Sequence, residues 1–97
     1  MTLNEFLAIN QIDLRNVERG TVTIELFDSA QFGDSIYEKS IDFLTCNLGL
    51  ESPGIALAEL ITVDNNYGSR QVVNNLMTVN QQDKKLTLTL RINTKID

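Results

Sequence analysis

Thr87-Leu88-Thr89-Leu90-Arg91-Ile92 alternates polar and apolar side chains, and Thr21-Val22-Thr23-Ile24-Glu25-Leu26 carries the same pattern near the other end of the chain. A period of two sends successive side chains to opposite sides of an extended backbone, so each segment reads as a strand with one apolar and one wet face. If the two strands are neighbours, their Thr faces line up. In a parallel, in-register pair Glu25 then meets Arg91, acid against base. The strands are placed over residues 21–27 and 85–93, with residues 94–97 expected to fray.

The stretch between them is less regular. After the turn formers Asp28-Ser29-Ala30-Gln31-Phe32-Gly33-Asp34, the residues Ile36, Tyr37, Ser40, Ile41 and Leu44 recur at intervals of three and four, which predicts a helix over 35–47. Ile41, Phe43 and Thr45 also alternate, and a strand over 40–45 competes with that helix. Ser52 before Pro53 resembles an N-cap followed by proline at the first helical position, which predicts a second helix over 53–62. At the start, Thr2 and Glu5 have capping-box spacing, and a short helix over 2–9 follows. Residues 11–20, with four charges and a closing Gly20, read as a connection. Residues 70–79 fit both periods; β-branched Val and Thr favour a strand, with a polar turn at Asn80-Gln81-Gln82-Asp83 after it.

These elements describe an α+β fold in a single domain spanning 1–97. An antiparallel or mixed sheet holds residues 21–27, 70–79 and 85–93, and the short helices pack mainly on one of its faces. The expected core joins Val22, Ile24, Leu26, Leu88, Leu90 and Ile92 to Ile41, Leu44, Leu57 and Leu60. With 42% hydrophobic and 22% charged residues the chain has the composition of a folded protein.

Charge is divided along the chain. Residues 1–66 carry eleven acids against three bases, a net of −8, while residues 67–97 carry five bases against two acids, a net of +3. Such a split either marks surfaces with different partners or is neutralised internally on folding, and the second is the simpler account.

Catalytic chemistry has little to work with. The chain has no His and one Cys, which removes the usual base of a Ser or Cys nucleophile and the ligand clusters of zinc or iron sites. Cys46, between Leu44 and Leu48, is expected to be a buried, inert thiol. Only Asp42, flanked by Ile41 and Phe43, sits in an apolar stretch of sequence, and a solvated face is the simpler reading for it too. Asp64-Asn65-Asn66-Tyr67-Gly68 lacks the spacing and terminal Glu of a calcium loop and reads as a turn. Neither Gly49 nor Gly54 precedes a Lys-Ser/Thr pair, so no phosphate-binding loop is present. No cofactor, metal or catalytic residue is therefore expected. The start lacks the basic and apolar stretches of a signal peptide, and a cytoplasmic, membrane-free setting is expected.

The function read from these features is a non-catalytic protein-protein interaction module. It would be a small subunit of an assembly, such as a homo-oligomer, or a regulator, acting through an exposed sheet face or edge. The expected surface comprises Thr23, Glu25, Thr87, Thr89 and Arg91. A nucleic-acid-binding alternative uses Arg70, Lys84, Lys85, Arg91 and Lys95, a short basic stripe without aromatic stacking partners in 68–97. A further alternative is an acidic inhibitor whose first part occupies a basic groove.

Overall fold

The computed structural model describes residues 1–31 and 33–96. In chain order its elements are α1 (Leu3–Ile9), β1 (Gln11–Asp13), β2 (Arg19–Asp28), β3 (Ser35–Leu44), β4 (Gly54–Ala56), α2 (Leu57–Leu60), α3 (Asn65–Gly68), β5 (Gln71–Gln82) and β6 (Lys85–Lys95), with 3-10 turns at Ser29–Gln31 and Thr45–Asn47. The architecture is α+β. A four-stranded sheet has the order β3-β2-β6-β5, and β1 and β4 form a separate two-stranded ribbon.

The Thr-striped strands occupy the middle of the sheet. β2 and β6 run parallel and in register, with Thr21 opposite Thr87, Thr23 opposite Thr89 and Glu25 opposite Arg91. Their alternate residues Val22, Ile24, Leu26, Leu86, Leu88, Leu90 and Ile92 are almost wholly buried, in one cluster with Leu3, Phe6 and Leu7 of α1, Ile55 of β4, and Leu57 and Leu60 of α2. Burying a Leu, Ile or Val side chain contributes about 1.5–3 kcal/mol, so this shared layer is the main source of stability. The opposite sheet face carries the hydroxyls and charges, and among the described residues no helix covers it.

α1 begins as its sequence demands. The Thr2 hydroxyl accepts the Glu5 N–H at 3.2 Å, and the Glu5 carboxylate accepts the Thr2 N–H at 2.9 Å. Both bonds satisfy donors that a helix start leaves open. The Thr2 N–H, with the Thr2 hydroxyl beside it, also holds the Glu5 carboxyl below its ordinary value.

Residues 35–47 are not a helix: 35–44 form β3, antiparallel to β2. Tyr37, Lys39, Ile41 and Phe43 lie opposite Leu26, Ile24, Val22 and Gly20, on the sheltered face. Pairing with β2 satisfies a whole row of backbone groups, and this outweighs the helical spacing of Ile36, Ser40 and Leu44. Lys39 is tolerated inward because its ammonium reaches the Thr62 carbonyl at 2.9 Å. Tyr37 stacks at 4.8 Å on Tyr67, and burial, reinforced by the Asp64 carboxylate, raises its phenol pKa. Of the expected core residues on this segment, Ile41 is half-buried and Leu44 is 48% exposed, pointing away from the core.

The helix expected over 53–62 shrinks to Leu57–Leu60. Gly54, Ile55 and Ala56 instead pair with Asp13, Ile12 and Gln11, so residues 11–13, read as connection, are also a strand. The Leu14 N–H donates to the Pro53 carbonyl at 2.8 Å and fixes the ribbon's end. Cys46 is exposed rather than buried, because its 3-10 turn lies outside the sheet. At the C-terminal end, Thr94 is fully buried and Lys95 still pairs with Gln71, so fraying over 94–97 does not extend to these two residues. Asp97, in that segment, and Phe32, in the expected turn, lie outside the described residues.

The polar turn expected at 80–83 is displaced. β5 runs on to Gln82, and the reversal is the two-residue loop Asp83-Lys84, both at positive φ (53° and 64°). Two positive φ values make a type I′ turn, whose twist matches the flanking strands.

Candidate interaction surface

Every residue from Val73 to Gln82 is exposed, although all of them belong to a hydrogen-bonded strand. The layer of α1, α2 and the β1–β4 ribbon shelters β2 and β6 but stops short of most of β5. Val73, Leu76, Met77 and Val79 are 42–60% exposed, four of the nine large apolar side chains that the described residues leave in solvent. Cross-strand neighbours assign their sides. Met77 and Val79 lie opposite Leu90 and Leu88 on the inner face, while Leu76 lies opposite Arg91 on the outer one.

The outer edge of β5 is open as well. The Val72 N–H donates to the Met1 carbonyl, and Thr2 bridges Gln71, but beyond these no backbone partner lies outside 73–82 among the described residues. The turn fixes which groups are free. In a two-residue hairpin the flanking pair, Gln82 and Lys85, exchanges hydrogen bonds, and the pattern alternates from there. Asn75, Met77, Val79 and Gln81 therefore point their N–H and C=O groups away from β6.

The two sheet edges differ in protection. β3 carries Glu38, Lys39 and Asp42, charges of the kind that discourage pairing with another chain. β5 has no charged residue and no proline across Gln71–Gln82. A long, uncharged, partly apolar edge is a template for strand addition.

The residues expected to form a surface do come together. Thr23, Glu25, Thr87, Thr89 and Arg91 share the uncovered outer face. Two of the Thr hydroxyls on this face are already engaged: Thr21 donates to Asp42 at 2.6 Å, and Thr23 shares a hydrogen bond with Ser40 at 2.8 Å. The more conspicuous site, 73–82, was missed by sequence reasoning. Its signal was present as twelve consecutive residues with neither charge nor proline.

The basic residues disperse. Arg70 is 8% exposed; its Nε donates to the Thr94 hydroxyl at 2.7 Å, and its Nη2 lies 3.4 Å from Asp28 Oδ1, an ion pair without hydrogen-bond geometry. Burial takes Arg70 out of any nucleic-acid surface. Lys84 pairs with Glu18 at 3.3 Å. Lys85, Arg91 and Lys95 do share the outer face, but Glu25, Glu38 and Asp42 stand beside them. In Glu18–Lys84, Asp28–Arg70 and the neighbours Glu25 and Arg91, the acid comes from the first part and the base from the second. Part of the charge split is thus offset within the fold, by two ion pairs and one pair of cross-strand neighbours.

An open cleft of about 670 Å³ lies where β3 ends, floored by Phe43, Leu44, Leu48 and Leu60. Arg19, Lys85, Asp42 and Glu59 rim it with mixed charge. Among the described residues no three His, Cys, Asp or Glu side chains gather at metal-binding spacing, and no helix is long and apolar enough to cross a membrane. Comparison with protein-family models, curated proteins and solved structures found no match.

Proposed function

We propose that this protein is a non-catalytic interaction module, an assembly subunit or regulator, that works by strand addition at the free edge of β5. One observation carries the reading: residues 73–82 are uncharged, exposed and, among the described residues, without an outer backbone partner for their main chain, the Gln81 side-chain amide alone reaching out, to the Arg15 carbonyl at 3.4 Å. Exposed strands usually carry a charge, a proline or a covering loop, because an unguarded edge pairs with whatever extended chain it meets. An edge kept in this condition is a docking surface. The missing His and the dispersed acids favour binding over catalysis. The exposed, unpaired Cys46 suits a reducing setting such as the cytoplasm.

Met77→Pro tests the edge selectively. The Met77 N–H points outward, so proline there removes a docking donor without taking a bond from β6. Affinity capture from the native source, with and without nuclease, should recover partners with the wild type and lose them with Met77→Pro. Equal recovery by both proteins refutes the edge. Recovery abolished by nuclease favours the basic face instead.

A further inference from the structure

We infer that the strand received by the β5 edge is β5 of a second copy of this chain, antiparallel about a two-fold axis through Thr78. The inference rests on the reading of β5 as a docking edge and names its occupant.

Geometry restricts the possible registers. Antiparallel strands bond where outward-pointing residues of one face outward-pointing residues of the other, so Asn75, Met77, Val79 and Gln81 must face members of the same set. Centring the axis on Met77 sets Asn75 against the partner's Val79, and centring it on Val79 sets Met77 against the partner's Gln81. Each mismatches an amide with an apolar side chain. Centring on Thr78 pairs Met77 with the partner's Val79 and Asn75 with the partner's Gln81, apolar with apolar and amide with amide. That register also uses the whole free run from residue 74 to residue 82. It forms about eight new backbone hydrogen bonds and joins two four-stranded sheets into one of eight strands.

Charge favours a copy over a charged peptide. The whole chain carries −5, yet Gln71–Gln82 carries none, so the one neutral stretch of edge is where two like-charged molecules can approach. An isologous contact of this kind closes on itself and does not propagate, because the far edge, β3, is guarded by Glu38, Lys39 and Asp42. Nine paired residues a side is fewer than the about 20–30 of a standard interface, the size of a weak, reversible contact. Added salt strengthens the dimer by screening the repulsion between the two −5 chains, the opposite of its effect on nucleic-acid binding.

Thr78 is exposed, so its variants leave the fold intact and read the interface directly. Thr78→Lys sets two ammonium groups face to face at the axis, and Thr78→Glu sets two carboxylates. Light scattering from about 1 to about 200 μM should show the wild-type mass doubling from 10.9 kDa. Each variant alone should stay monomeric, and an equimolar mixture of the two should regain the doubled mass. In a Cys46→Ser background Thr78→Cys should oxidise to a disulfide-linked dimer, since non-bonded cross-strand pairs sit about 4.5 Å apart at Cα. Leu76→Cys and Asn80→Cys should cross-link with each other and not with themselves. A wild type that stays monomeric while Met77→Pro still abolishes capture of a different partner overturns self-pairing and leaves the docking edge standing. A dimer indifferent to Thr78→Lys overturns self-pairing at β5, and equal capture by wild type and Met77→Pro removes the edge altogether.

Discussion

Asp28→Asn should destabilise the protein more than Arg70→Met, because it leaves the more deeply buried of the two charges without its partner. The Arg70 side chain is 9% exposed and Asp28's is 16%, with Nη2 and Oδ1 3.4 Å apart. Removing one partner of a fully buried ion pair costs about 3–5 kcal/mol, because the other charge is left uncompensated. Here the acid is partly solvated, and the separation exceeds the about 2.7–2.9 Å of a charge-assisted hydrogen bond. The expected cost of Asp28→Asn is therefore about 2 kcal/mol. Asparagine keeps the oxygen that accepts the Ala30 N–H at 3.0 Å, so the loss reports on charge and not on the turn. Arg70→Met retains an apolar stem in the same space, and Thr94 keeps its bond to the Phe27 carbonyl at 2.9 Å. Its cost should be about 1 kcal/mol. The double variant should resemble Arg70→Met alone, whereas independent sites would add to about 3 kcal/mol. Urea unfolding followed by circular dichroism measures all four proteins, and for a domain this size about 2 kcal/mol lowers Tm by roughly 8–16 °C. An additive double variant, or an Asp28→Asn within about 0.5 kcal/mol of wild type, would refute the reasoning.

Gly20→Ala places a methyl 2.6 Å from both the Leu86 carbonyl and the Phe43 ring; the ring can turn but the carbonyl belongs to the β2–β6 ladder, so a loss of about 1–3 kcal/mol in denaturant unfolding is expected. Thr2→Ala keeps the backbone N–H that lowers the Glu5 pKa most and removes the smaller effect of the hydroxyl, so it should return Glu5 only part of the way to its ordinary titration, measurable by NMR. Because the folded Glu5 pKa is depressed, its contribution to stability is present above about 4.5 and disappears as pH falls through the lower folded value. The gap between wild type and variant in acid unfolding should therefore be wider above that window than below it, where only the loss of the Thr2 cap to the Glu5 N–H remains. Replacing Asp83-Lys84 by Asn-Gly supplies the residues a type I′ turn prefers and should stabilise the hairpin by about 0.5–1 kcal/mol, read as a rise in the urea midpoint.

What could be read from residue order follows from which surfaces the fold covers. β2 and β6 were legible because each has one sheltered and one wet face, so hydropathy alternates cleanly. β3 shares that geometry, but Lys39 faces inward and Leu44 outward, which blurs the alternation and leaves the helical spacing of Ile36, Tyr37, Ser40 and Ile41 as the stronger pattern. β5 is bare on both sides, with Leu76 on one and Met77 on the other, so no period separates a strand from a helix there. The expected face of Thr and charged residues was legible for the same reason as its strands. The edge was not, because edge position depends on the order β3-β2-β6-β5, which only tertiary pairing decides.

The central place of β6 imposes a timetable on folding. β2 can zip to β3 early, but its other side stays unpaired until residue 95 has left the ribosome and a closure of more than sixty residues has been made. Until then the apolar flank of β2 has no lid, and the nascent chain is at its most vulnerable to aggregation and proteolysis.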